Sequence, residues 1–393
     1  MGDDIFSNRL LVVDDDPGTG RLIKAAAEGS GFDVVVTEDP PAVGGTTRSW
    51  HPAIIIMDLQ MPDVDGIELL RELAADKSGA KMVVASDVGR KVLESARRLA
   101  RQRGVNMAGM LQKPFRVETL RELFAAVKPI SKGLLSADLA DAIGADQLFL
   151  EYQPKLDCRH RRISGVEALV RWRHPRLGVI RPDQFIALAE ETDLIHRLTD
   201  WVVAAATKQA AAWQRENLAL EVAVNISAKD LENLDLPELL NQHCQHADVA
   251  PALITLELTE TSAMREPRQM MDVLTRLRLK GFRLSIDDFG TGYSSLVQLQ
   301  RMPFTELKVD RSFVAQMMDN TACKVIVEII IDLARKLGLT SVAEGVEGEA
   351  VLERLTVMGC DIAQGDYLSR PLAADGVSEF VRRHEATKSK SAA

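Results

Sequence analysis

Residues 285–296 read SIDDFGTGYSSL. Two adjacent carboxylates, Asp287 and Asp288, close a short apolar run, and a phenylalanine and two glycines follow. Successive side chains on a strand point to opposite faces, so this pair shares one direction only if the strand finishes at Asp287. Like charges held together there repel unless a cation or a proton sits among them. The stretch predicts a strand end built around bound positive charge.

The pattern recurs on both sides of it. From residue 147 onward the strand-like runs are QLFLEYQPKL, ISGVEALVRW, EVAVNIS, LITLELTE, FRLSIDD, ELKVD, TSVAEGVE and DIAQGDYL. Helical stretches, including 185–213 and 269–281, separate them from the second run on. Eight strands with helices between them in about 240 residues have the size of a (β/α)8, TIM-like barrel. DCRHRR (157–162) is too short for a helical crossover, so the first two runs pair as a hairpin and one barrel strand is antiparallel.

Reactive groups of such a barrel sit where strands give way to loops. Those positions hold Glu167, Asn225, Glu257, Asp287 with Asp288, Lys308, Glu344 with Glu347, and Gln364, and only Lys308 is basic. Oxygen-only surroundings favour Mg²⁺ or Mn²⁺ over Zn²⁺. With Asp287 bridging, two ions about 3.5–4 Å apart clamp the attacking and leaving oxygens of a phosphodiester.

The N-terminal third has a different rhythm. RLLVV (9–13), DVVV (33–36), AIIIM (53–57), KMVVA (81–85) and MAGML (107–111) alternate with amphipathic stretches such as 66–76 and 90–104. This is the pattern of a doubly wound, flavodoxin-like parallel sheet with its site at the carboxyl ends of the strands. Asp14, Asp15, Asp58, Ser86 and Lys113 fall at that edge. Three carboxylates suit a Mg²⁺ ion, beside which Asp58 attacks a phosphoryl group while Ser86 and Lys113 contact its oxygens. Any one of these residues alone reads as solvated strand-end polarity; five at one edge do not.

Bulk properties set the class. A chain of 393 residues is expected to hold two domains, and 46% hydrophobic content supplies their cores. No apolar stretch reaches the roughly 20 residues of a membrane span, and the acidic start MGDDIFSNRL is unlike a secretion signal. Net charge of −9 argues against nucleic-acid binding, and four scattered cysteines suit a reduced, cytoplasmic setting. His243-Cys244-x-His246 lacks a fourth partner at metal spacing, and Trp172, Trp201 and Trp213 read as packing.

VVDDDP, MDLQMPDVDG and the Lys-Pro pair of KPF (113–115) resemble the receiver domain of two-component response regulators over residues 1–127. The resemblance implies that Asp58 accepts phosphate from a histidine kinase, with Asp14 and Asp15 holding one metal ion. Asp87 and Met110 depart from the family pattern, which has a small residue and an aromatic switch residue there.

EALVRW (167–172), NIS (225–227), ELTE (257–260), DDFGTGYSSL (287–296), LKVD (307–310), AEGVE (343–347) and QGDYLSRP (364–371) resemble the EAL family of cyclic-di-GMP phosphodiesterases over residues 147–385. By that resemblance Glu167, Asn225, Glu257 and Asp287 hold a first metal. Asp287 and Asp288 hold a second, helped by Glu344 or Glu347. Lys308 orients the attacking water, Glu344 is the candidate general base, and Gln364 steadies the site. Gln153 and Arg171 contact the substrate's guanine and phosphate. Glu260 anchors the loop carrying Gly290 and Gly292, which contributes to dimerisation, so a homo-oligomer through the barrel is expected.

A receiver fused directly to such a barrel resembles the RocR-type response regulators. The expected function is hydrolysis of cyclic di-GMP to linear pGpG by metal-activated water, controlled by receiver phosphorylation. The alternative is a non-catalytic cyclic-di-GMP receptor that signals through protein contacts. No DNA-binding helix follows the receiver. Residues 128–146 read as a linker with a short helix over 136–143, and 386–393 as a disordered tail.

Overall fold

Asp16 accepts from the backbone N–H groups of Gly18 and Thr19 and so starts the first helix, directly after the first strand. This strand-to-helix step repeats along the whole chain, which a computed structural model describes for residues 8–39, 42–61, 64–65, 69, 80–87, 107–115, 119–120, 123–124, 136–263, 267–291 and 296–391. The amphipathic stretches 66–76 and 90–104, Gly292 and the first part of the expected linker lie outside these residues, apart from Leu69. The chain forms two compact units, Met1–Leu134 and Leu135–Ala393.

Besides a two-residue antiparallel pair at Gln60–Met61 and Val64–Asp65, the described elements of the first unit are β1 (Arg9–Val13), α1 (Pro17–Gly29), β2 (Asp33–Thr37), α2 (Ala42–Trp50), β3 (Ile54–Asp58), β4 (Lys81–Ser86) and β5 (Met107–Gln112). The strands pair in parallel in the order β2-β1-β3-β4-β5. Alternate residues serve opposite cores: Leu11, Val13, Ile55, Met57 and Val84 on one face, Leu10, Val12, Ile54, Ile56 and Val83 on the other. Each such side chain contributes about 1.5–3 kcal/mol by leaving water. The order reverses beside β1 and β3, which places Asp14, Asp15 and Asp58 at the crevice where such sheets bind ligands.

The second unit begins with α3 (Ser136–Gly144), followed by β6 (Leu148–Asp157), β7 (Arg162–His174), α4 (Pro182–Glu191), α5 (Ile195–Arg215), β8 (Glu221–Asn225), α6 (Leu236–Ala247) and β9 (Ile254–Thr259). It continues with α7 (Pro267–Leu279), β10 (Arg283–Phe289), β11 (Glu306–Val309), α8 (Thr321–Leu337), β12 (Thr340–Ala343), α9 (Glu349–Met358), β13 (Ile362–Gln364) and α10 (Ala374–Ser391). Strands β7 to β13 pair in parallel in chain order. Strand β6 closes the barrel and runs antiparallel to both neighbours, β7 and β13. The hairpin expected over 157–162 is this antiparallel pair, and Arg161 takes its left-handed position at φ 54°.

Three expectations are corrected. The helix at 136–144 is not a free linker: Leu139 and Ala142 are buried and it packs against α4 and α5, so the second unit starts at Leu135 instead of 147. The stretch 185–213 is two helices, broken where Asp193 adopts φ 56°. Residues 386–391 are not a disordered tail but the last turns of α10, propagated along an already nucleated helix.

Candidate active site at the barrel mouth

Inward-facing positions of the barrel strands alternate, and here the inward residues are charged. Glu167, Glu257, Asp287 and Lys308 are all buried, with Lys308 at 0% exposure. Its Nζ donates to Glu257 Oε2 at 2.8 Å and lies 2.7 Å from Glu344 Oε1, 3.2 Å from Asp287 Oδ2 and 3.8 Å from Glu167 Oε2. Burial opposes its charge, yet the four carboxylates hold its pKa well above the ordinary lysine value. Asn225 Nδ2 and Gln364 Nε2 donate to the two Glu167 oxygens at 2.8 and 2.7 Å. The structure brings Glu167, Asn225, Glu257, Asp287, Lys308, Glu344 and Gln364, all expected at strand ends from the sequence, around one buried ammonium.

The adjacent aspartates are reconciled differently from expectation. Strand β10 does not finish at Asp287 but runs to Phe289. One extra residue lies between Ile286 and Phe289 relative to β11, which is a bulge, and Asp288 sits at φ 55°. A bulge breaks the two-residue alternation and re-aims a side chain, and aspartate tolerates the left-handed conformation better than most residues. Asp287, Asp288 and Glu344 each offer a carboxylate oxygen within 4.8 Å of the others. Burial, then the charges of Asp287 and Asp310, push Asp288 up to about 7. Burial, with Asp287 and Glu167 nearby, pushes Glu344 up to about 8 despite Lys308. Three hard oxygen donors whose negative charge is undercompensated fit a divalent cation. Glu347 is exposed and stands outside this triad.

Around the mouth, Gln153 accepts from Gln364 Nε2 at 2.9 Å and donates to the Ser369 carbonyl at 3.1 Å. Arg171 Nε donates to Glu151 Oε2 at 2.8 Å. Glu260 Oε2 accepts from the Gly290 N–H at 2.9 Å, tying down the start of the loop after β10. Gly290 has φ 100°, and a Cβ there would press on Ile330 and Phe313 at 3.1 Å. Trp172 and Trp213 are core residues, and His243 pairs with Asp200 at 2.7 Å.

Three residues escaped the sequence reading: Asp310, Lys155 and the buried Glu306. Asp310 caps the helix at 311–314, accepting from Ser312 N at 2.8 Å, and its charge helps raise the Asp288 pKa. Lys155 is a second buried lysine in the barrel, so Lys308 is not the only cation there. The signal for Lys155 was its place two residues after Gln153, on the same strand face.

In the first unit Asp14, Asp15 and Asp58 form a second acidic triad within 4.8 Å. Lys113 Nζ bridges Asp14 Oδ2 at 2.8 Å and Asp58 Oδ2 at 2.5 Å. Burial raises the Asp14 pKa against the pull of Lys113. Ser86 is fully buried, and its carbonyl accepts from the Lys113 N–H at 2.9 Å. The donor set again suits one hard cation.

Residues 136–371 match the EAL domain and residues 10–125 the response regulator receiver domain. Cyclic di-GMP phosphodiesterase RocR of Pseudomonas aeruginosa is 32% identical over 381 residues, covering 92% of this chain and 96% of RocR. The bifunctional diguanylate cyclase/cyclic di-GMP phosphodiesterase MucR of the same organism is 42% identical over 239 residues, 61% of this chain. This chain spans only 35% of MucR, and 43% of another Pseudomonas aeruginosa cyclic di-GMP phosphodiesterase to which it is 37% identical. A solved structure of PaMucR phosphodiesterase in complex with c-di-GMP aligns at TM-score 0.59 and 41% identity, covering 61% of this chain and 98% of that one. The chain belongs to the EAL domain family and carries a response regulator receiver domain ahead of its EAL barrel.

Proposed function

We propose that the protein is a phosphodiesterase that opens cyclic di-GMP to linear pGpG, under control of phosphorylation at Asp58. The observation that carries this reading is the pairing of the Asp287–Asp288–Glu344 triad with a fully buried Lys308 at one barrel mouth. The triad, with Glu167, Asn225 and Glu257, would hold divalent ions, Mg²⁺ or Mn²⁺, which when bound would supply positive charge to a phosphodiester and acidify water. Lys308 Nζ, fixed by four carboxylates, orients the attacking water and balances the negative charge that develops at phosphorus. Glu344 takes the water's proton on its carboxylate as the oxygen bonds to phosphorus, and the bond to the 3′-oxygen breaks as that oxygen takes a proton from solvent water, Glu344 returning its own to solvent. Gln153, Gln364 and Arg171 hold the substrate's polar edge. In the receiver, Asp58 takes phosphate from a histidine kinase and the new charge is met by Lys113 and Ser86, while Asp14 and Asp15 would hold a divalent ion beside it. The bulged Asp288 and the Gly290 loop link this control to the mouth, with self-association through the barrel. Among the described residues no helix is long and apolar enough to cross a membrane.

Incubation with cyclic di-GMP and Mn²⁺, with products separated by chromatography, tests the reading. The intact chain releases linear pGpG and E167A does not. Binding without turnover in the intact chain contradicts it and leaves the receptor alternative.

A further inference from the structure

Beneath the mouth lies a second set of charges that the proposed chemistry does not use. Lys155 of β6 is 5% exposed, and its Nζ donates to Glu257 Oε1 at 2.7 Å and lies 3.7 Å from Glu306 Oε1. Glu257 thus gives one oxygen to Lys155 and the other to Lys308. Glu306, Lys155, Glu257, Lys308 and Glu344 form one alternating series of charges from the barrel floor to its rim. On the floor, Lys155 and Glu306 line a small cavity with Gly165, Glu221 and Thr255, about 10 Å³ of space for a water centre. That is about one water's worth. Among the described residues, neither Oε1 of Glu306, which lines this space, nor the buried Ser285 Oγ has a hydrogen-bond partner.

We propose that Lys155 is a positioning residue for the hydrolytic site, holding Glu257 from below so that Glu257 presents Lys308 to the rim. The inference rests on the phosphodiesterase reading. A carboxylate locked between two ammonium groups has one orientation, whereas one held by Lys308 alone turns with it. Beside the 3.7 Å Lys155–Glu306 ion pair the floor cavity has room for about one water. Lys155 meets the mouth residues through Glu257, whose other oxygen accepts from Lys308.

The test compares K155M with K155M/E306M in the intact chain. K155M removes the hold on Glu257 and leaves Glu306 unbalanced, so it loses both thermal stability and turnover. The double variant restores charge balance on the floor and recovers melting temperature. Its kcat for cyclic di-GMP stays at least about tenfold low with KM within about twofold, the split expected of a lost transition-state interaction. Recovery of kcat together with stability overturns the inference, because Lys155 then serves charge balance alone. A crystal structure of K155M reads the same point without turnover: Glu257 leaves Lys308 if the inference holds and stays on it if it does not. A wild-type chain inert toward cyclic di-GMP refutes the functional reading, and the Glu257 geometry in K155M still decides this one.

Discussion

Both units gather acids around one lysine, and they handle the crowding in different ways. In the receiver, Lys113 is 17% exposed and Asp15 is exposed, so solvent shares the task of screening. At the barrel mouth Lys308 is fully buried among four carboxylates. Coulomb terms grow as the surroundings lose polarity, so the same kinds of residue do more there. Asp288 and Glu344 are pushed to about 7 and about 8, whereas Glu257, between two lysines, is pulled to about 2 against the cost of its burial. Burial, more than residue type, separates a site screened by water from one that depends on bound cations.

The largest effect should come from the lysines. K308M removes the buried cation and lowers kcat by about 10²–10³, the cost of deleting one preorganised group at a reacting centre. K113M, assayed without a phosphate donor, leaves turnover within about twofold, because its screening role is local to the receiver. Comparable losses from the two would break the contrast.

The acids give a pH signature next. Raised folded-state values mean that Asp288 and Glu344 contribute stability below their ordinary 3.8 and 4.5, and lose it as pH rises through about 7 and about 8. Chelated protein should therefore melt lower at about pH 8.5 than at about pH 6, and D288N/E344Q should flatten that slope. Glu257 carries the opposite sign: its stabilisation holds above 4.5 and is lost as pH falls through about 2. Differential scanning calorimetry across the pH range reads both.

Backbone contacts come third. A Cβ on Gly365 would lie 2.2 Å from the Val346 nitrogen, where the Glu344–Glu347 loop is tied to Gln364 by the Val346 N–H at 3.0 Å. G365A should cost about 1–3 kcal/mol in denaturant unfolding of the barrel unit and displace Glu344 and Gln364 together. The smallest effect belongs to D16A, which removes the cap of α1 and costs the receiver about 1 kcal/mol without touching the barrel.

The legibility of the sequence follows the same division. The five receiver strands were readable because their runs are almost continuously apolar, and the central β1, β3 and β4 are buried on both faces. The mouth residues were readable because strand ends collect polar side chains in motif order. Lys155, Glu306 and Asp310 were not, since a charged residue inside an apolar run looks like a solvated strand face until its partners across the barrel are known. The bulge at Asp288 was also hidden, because it depends on register against β11 and not on local composition. The break at Asp193 was lost to helical periodicity that ran through the turn, and the helix read over 136–143 gave no sign that it packs against α4 and α5.

The central claim is that divalent cations are what allow this acidic crowding at the barrel mouth. Calorimetric titration of Mn²⁺ into the intact chain, D58N and D288N/E344Q tests it most directly. The account predicts that D58N keeps the barrel component of the binding heat and that D288N/E344Q loses it. Unchanged binding in D288N/E344Q would contradict it.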